Sequence, residues 1–312
     1  VSKKVPKKVK EILNTDRKRV DYTKHKSFSF SQLSTFLTCP HRWYLDKVER
    51  LQEYEPSIHT VFGTAMHETI QQWLDTLYSS TVKKAQEMDL DDLLLERMKK
   101  NYKKERYKIG YKDFSDSKQM QEFYDQGVQI LEFLKKKRSD YFFKKKTYLA
   151  GIETPLMEEV RPGIFFTGFI DLVFYDEVLD RYTLVDIKTS TRGWNKYQKR
   201  DEIKQSQLIL YKHFFCKKYN IPPDNVDIQF FIVKRIIPQD TDWPVKRVQL
   251  FEPASGKIKT GKILKQVNEF LDQAFTYDGE YVKSGYKKNP SKNNCRFCPY
   301  LEQLSLCDSG IK

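Results

Sequence analysis

The chain has 312 residues, enough to bury a substantial core as one large domain or two small ones. With 39% hydrophobic residues, 31% charged residues, 19 Tyr and 21 Phe, its composition is polar but globular, which excludes a mainly disordered protein. Lys and Arg outnumber acids 56 to 42, a formal net charge of +14 that favours a polyanionic partner, nucleic acid before membrane; a charge carried for solubility is the plainer alternative.

No apolar run approaches the roughly 18 to 20 residues that span a bilayer. The opening VSKKVPKKVKEIL lacks the apolar core of a secretory signal. The expectation is an intracellular protein, cytoplasmic or nucleoid-associated, without a membrane partner. In such a reducing setting clustered thiols more often bind metal than pair as disulfides.

In chain order, residues 1–27 read as a basic flexible arm with little periodicity. Ser29 or Ser31 is placed to cap a short helix that stops before Pro40. A second helix is expected from about Gly63 through TAMHETIQQWLDTLY, where Met66, Ile70, Trp73, Leu74 and Leu77 recur at helical spacing. The charged stretch 80–146 reads as a helical insertion, so that 28–146 forms a cysteine segment plus a helical subdomain. From Tyr148 the character changes. LAGIETPLMEEV, GIFFTGFIDLVFYDE and YTLVDIKTS read as three neighbouring strands, parted by Pro162-Gly163 and by an acidic turn at Asp180. IKQSQLILYKHFFCKKY is a helix ended by Pro222-Pro223; VDIQFFIVKRI and VKRVQLFE are further strands, and a helix follows over 255–275. Residues 147–284 thus form an α/β core with a central mixed sheet flanked by helices, and 285–312 form a loop-like tail with three cysteines.

The most informative stretch is 168–188. GFID places Asp171 inside one strand, and VDIK places Asp186 and Lys188 on one face of the next. Charges inside apolar strands are costly unless they pair or bind a cation. Two converging carboxylates suit Mg²⁺ or Mn²⁺, and a neighbouring lysine can orient water or stabilise charge on a phosphate. A buried Asp–Lys ion pair is the bland alternative. His67 in GTAMHETI can add a ligand or be a structural histidine. Gln207 and Tyr211 lie four residues apart on one helical face, set to contact a substrate strand or simply to pack.

The order His, GxxD, DxK, QxxxY resembles the RecB-type branch of the PD-(D/E)xK nucleases, which includes CRISPR-associated exonucleases and AddAB-type nuclease domains. The resemblance runs from about Phe28 to Cys307. It implies a restriction-endonuclease-like fold and a metal-dependent DNA exonuclease that prefers single strands or free ends, with a helicase or recombination partner. It further implies that His67, Asp171, Asp186 and the Ile187 carbonyl hold the metal, that Lys188 is the catalytic lysine, and that Gln207 and Tyr211 match the QxxxY element. Glu153, Glu158 and Glu159 compete for a supporting carboxylate.

Cys295, Cys298 and Cys307 form C-x2-C-x8-C, with Cys39 alone in TCPHRWYL. Spacing alone leaves zinc and an iron–sulfur cluster equally open. The resemblance implies a 4Fe–4S cluster on these four cysteines, tying the two ends of the chain together. Cys216 is expected to pack as a small apolar residue. Arg42, Trp43 and Tyr44 are candidates to clamp a single strand. Trp194, Lys196, Tyr197 and Arg200 (with Asn195 and Lys199) read either as a strand-binding loop or as a solvated loop with one packed Trp. Two readings of other classes are a non-catalytic DNA-binding scaffold subunit and a zinc-stabilised structural protein.

Overall fold

The β-branched and aromatic residues between Thr147 and Ser190 form three long strands: β2 Thr147–Arg161, β3 Ile164–Asp176 and β4 Arg181–Ser190. Gly163 and Asp180, at φ of 73° and 51°, make the two turns between them. The computed structural model describes residues 5–14, 26–142, 144–239, 241 and 244–311. Around these strands it builds a six-stranded mixed sheet in the order β1 (Lys26–Ser29), β3, β4, β5 (Val226–Lys234), β6 (Val248–Phe251), with β2 paired along β3. β3 pairs antiparallel with both β2 and β4, while β1–β3 and β4–β5 are parallel. The last strand is shorter than VKRVQLFE suggests. The four-residue β1 carries no alternation long enough to be read in advance.

A parallel β4–β5 pair needs a crossover, which α10 (Glu202–Tyr219) supplies. It starts at Asp201, whose side chain accepts from Lys204 N, and stops at Asn220 in the left-handed conformation before Pro222. α10 covers one sheet face together with α2 (Phe30–Thr38) and α11 (Lys257–Ala274), burying Phe28, Phe36, Phe166, Leu208, Phe215 and Phe270. Cys216 lies in this core as expected, its thiol pushed up to about 11 by burial.

The opposite face is covered by α4 (Ile58–Ser79), which starts five residues before Gly63, where the Ser57 hydroxyl accepts from His59 N. The 80–146 stretch is helical as expected: α5 Val82–Glu87, α6 Leu90–Lys108, α7 Ser117–Lys136 and α8 Arg138–Tyr141. Its apolar residues merge with those of α4 and the sheet into one core that contains Ile70, Trp73, Leu94, Ile130 and Val185. No helix among the described residues is long and apolar enough to cross a membrane.

Within the expected basic arm, Lys7–Leu13 forms α1 and buries Val9 and Ile12. The remainder of the arm, 1–4 and 15–25, lies outside the described residues. At the other end, the tail docks on α2 and α3 (Pro40–Lys47). Asn289 and Asn294 both donate to Thr38 O, at 2.9 and 3.1 Å, and Tyr300 donates to Asp46 at 2.7 Å.

Candidate active site at the fork between β3 and β4

β3 and β4 pair from Asp176–Arg181 up to Leu172–Val185, and the ladder stops there. β4 continues alone with β5 as far as Ser190. Asp171 and Asp186 are the first residues past the split. Asp171 Oδ2 accepts a hydrogen bond from Ile187 N at 2.7 Å, so a carboxylate takes the place of the missing ladder acceptor.

Asp186 is only 2% exposed. Its Oδ2 lies 2.8 Å from Lys188 Nζ, yet no donor meets that oxygen at hydrogen-bonding angles. The contact is therefore an ion pair with an acceptor lone pair to spare. His67 projects from α4, its Nδ1 3.6 Å from Asp171 Oδ2 and its ring near the Ile187 main chain. The fork thus gathers His67, Asp171, Asp186, Ile187 and Lys188.

The electrostatics follow from burial. Desolvation, reinforced by Asp186, raises the Asp171 carboxyl well above its usual range. Burial would lower the Lys188 ammonium, but Asp186 and Asp171 outweigh it and raise the lysine. His67 is pushed down to about 4, chiefly by burial and partly offset by Asp186, so the imidazole is neutral at neutral pH.

Tyr211 of α10 is close enough for its hydroxyl to feel Asp186 and Lys188, and Gln207 Nε2 lies 3.5 Å from that hydroxyl. Behind it stands Gly168, where any Cβ would come within 2.9 Å of the ring. On the α4 side, Gln71 donates to Glu153 Oε1 at 2.6 Å and reaches Asp171 O at 3.4 Å. This separates the three candidate acids. Glu153 faces the fork; Glu159 accepts from Gly163 N at 2.9 Å, and Glu158 lies 3.9 Å from Lys217. Glu153 also holds φ 48°, a left-handed kink inside β2. Gln71 and Gly168 were not singled out by sequence; the glycine of GFID was the available signal.

Among the described residues no three His, Cys, Asp or Glu side chains form a ready metal cage. At the fork the donors are turned onto protein partners, Asp186 onto Lys188 and Asp171 onto Ile187 N. The donor chemistry nevertheless fits a hard divalent cation: two carboxylates, one with a buried oxygen lacking a donor, beside a neutral imidazole.

The cysteines gather at the docked ends of the chain. Cys298 N donates to Cys295 O at 2.9 Å, and the Cys298 thiol, raised mainly by burial, also feels Cys39 and Cys307. His41 reinforces the junction through Leu306 O at 2.9 Å. All are free thiols, and Cys216 lies apart on α10.

Of the three candidates beside Cys39, burial removes Trp43 from contact with a strand. Trp43 is completely buried against Phe36, Phe270, Tyr281 and Tyr286, because three helices and the tail meet there. Arg42 faces Asp46 at 3.6 Å, and Tyr44 stacks on Tyr286. Of the second candidate loop, Trp194 packs on Phe230 and is held by Gln249, the packed-Trp alternative. Lys196, Tyr197 and Arg200 lie on the short helix α9 (Lys196–Arg200), with Tyr197 exposed.

The sequence profile of the PD-(D/E)XK nuclease superfamily matches residues 27–303. Among solved structures, a protein from Eubacterium rectale described as a "putative exonuclease" superposes with a TM-score of 0.50 at 11% identity, covering 92% of this chain and 91% of that one. A search of the curated proteins finds no match.

Proposed function

Because this chain belongs to the PD-(D/E)XK nuclease superfamily, we propose that it is a Mg²⁺- or Mn²⁺-dependent deoxyribonuclease that trims single-stranded DNA ends. The observation that carries this reading is the fork itself, where buried Asp186 meets Lys188 at 2.8 Å beside Asp171 and His67. His67, Asp171, Asp186 and the Ile187 carbonyl would hold the cation. When bound, the ion acidifies a water and neutralises charge on the phosphate. Lys188, kept charged by its two carboxylate neighbours, stabilises negative charge on the phosphoryl oxygens and orients the attacking water. Tyr211, steadied by Gln207, contacts the substrate phosphate or fixes the lysine from the α10 side. Gln71 and Glu153 are positioning residues for Asp171.

The four cysteines Cys39, Cys295, Cys298 and Cys307 are assigned to a 4Fe–4S cluster that staples the tail to the first helices, with zinc as the alternative ion. Support comes from the docking of the tail, which carries Cys295, Cys298 and Cys307, onto α2 and α3 beside Cys39, and from the soft sulfur donors that such a cluster takes. Exposed cations such as Lys196 and Arg200 would attract DNA without reading its sequence.

The test is digestion of end-labelled linear and circular DNA, single- and double-stranded, with Mn²⁺ or Mg²⁺. The expected outcome is loss of linear single strands and survival of circles. Asp186→Ala and Lys188→Ala should abolish cleavage while retaining DNA binding. Undiminished cleavage by either variant removes the assigned site.

A further inference from the structure

β3 hides almost every large apolar residue it carries, on one face or the other. Phe169 departs from this: it is 53% exposed in mid-strand. A single exposed phenyl ring needs no explanation by itself. Its position does. It precedes Asp171 by two residues, about 6.5 Å along the strand, at the point where β3 parts from β4. Its direction is fixed by its neighbour. Gly168 abuts Tyr211 of α10, so strand alternation turns Phe169 to the opposite face, where α4 brings in His67. Across the ladder stands Pro155, a flat apolar neighbour with no side-chain donor.

We infer that Phe169 is the platform on which the base flanking the scissile phosphate stacks. This rests on the nuclease reading and deepens it. A phosphodiester held among His67, Asp171 and Lys188 carries a base on either side, and one of them falls over the exposed ring. Every base has a π-face, so such a platform grips a strand without selecting its sequence. It also requires the base to be free of its duplex neighbour. A single exposed phenyl beside the carboxylates therefore selects unpaired or frayed ends over intact duplex. Because the ring buries little, its removal spares the core.

The test is binding in the presence of EDTA, so that cleavage is not needed. Single-stranded oligonucleotides carry 2-aminopurine at successive positions. The wild type is expected to quench the fluorophore at one register. Phe169→Ala should lose that quenching and bind roughly 5- to 150-fold more weakly, whereas Phe169→Trp keeps both; thermal melts report folding for each. Equal affinity and equal quenching in wild type and Phe169→Ala overturn the platform. A wild type that stacks the base yet cleaves nothing with Mn²⁺ removes the nuclease reading and leaves the platform standing. A wild type that binds no single strand removes the platform, and the nuclease reading is then decided separately by cleavage with Mn²⁺.

Discussion

Gly168 on β3 and Tyr211 on α10 approach so closely that a β-carbon at the glycine would sit 2.9 Å from the tyrosine ring. Two sequence signals 43 residues apart, the glycine of GFID and the tyrosine of QSQLILY, are halves of one packing contact. Gly168→Ala should push Tyr211 away from Lys188, cost about 1–3 kcal/mol and slow DNA cleavage. In a Tyr211→Ala background the alanine should cost much less, because the clash is gone. Urea unfolding of the four proteins measures this, and strictly additive effects would show that the two residues do not press on each other.

As the proposed metal site, the fork would trade stability for ligand capacity. Asp171 is raised by burial and by the Asp186 charge, so holding it ionised costs folding energy when no cation is bound. Below its raised value the folded protein binds a proton that the unfolded chain, titrating near the ordinary carboxylate range, does not yet take up. Stability of the metal-free protein therefore rises as pH falls through that window. Asp171→Asn removes the charge and keeps an acceptor for Ile187 N. It should melt higher than the wild type in EDTA at neutral pH while cutting Mn²⁺-dependent cleavage by at least roughly 10²-fold. A variant that melts lower in EDTA would mean that the carboxylate is worth more as an acceptor than it costs as a charge.

His67 works in the opposite direction. Its folded value of about 4 lies below that of a free histidine, so its stabilising share is complete above about 6.5 and is lost as pH falls toward 4. His67→Gln should lack this slope. In chelator-treated protein, the wild type should lose up to about 3 kcal/mol relative to the variant between those pH values. Parallel stability curves would show that the imidazole titrates as it does in the unfolded chain.

Much of this was legible in the sequence, for identifiable reasons. β2, β3 and β4 announced themselves by their β-branched and aromatic residues and by the turns at Pro162-Gly163 and Asp180, and Asp171, Asp186 and Lys188 stood out as charges within apolar strands. The point at which β3 and β4 separate was not legible, because it depends on register rather than composition. Nor could sequence choose among Glu153, Glu158 and Glu159. They are chemically alike, and only Gln71, 82 residues upstream of Glu153, distinguishes them. Trp43 misled for a related reason. RWY reads as a basic-aromatic clamp, but the indole fills the junction of α2, α3, α11 and the tail, a site that exists only once distant segments meet.

The same junction joins the tail to the first helices. Polar contacts hold it: Asn289 and Asn294 on Thr38 O, His41 on Leu306 O, and Tyr300 on Asp46. Few apolar side chains of the tail join the core, Tyr286, Cys295 and Tyr300 being its buried ones. Such a seam gains most from a covalent-strength link between residue 39 and the far end, since closing so long a loop removes much unfolded-state freedom. Anaerobically purified wild type should be brown, with roughly four irons per chain. Cys298→Ser and Cys39→Ser should lose the colour and lower the melting temperature, whereas Cys216→Ser should stay brown. A colourless wild type with about one zinc per chain would replace the cluster by the alternative ion. Colour and melting curve unchanged in Cys298→Ser would exclude this cysteine from any metal site.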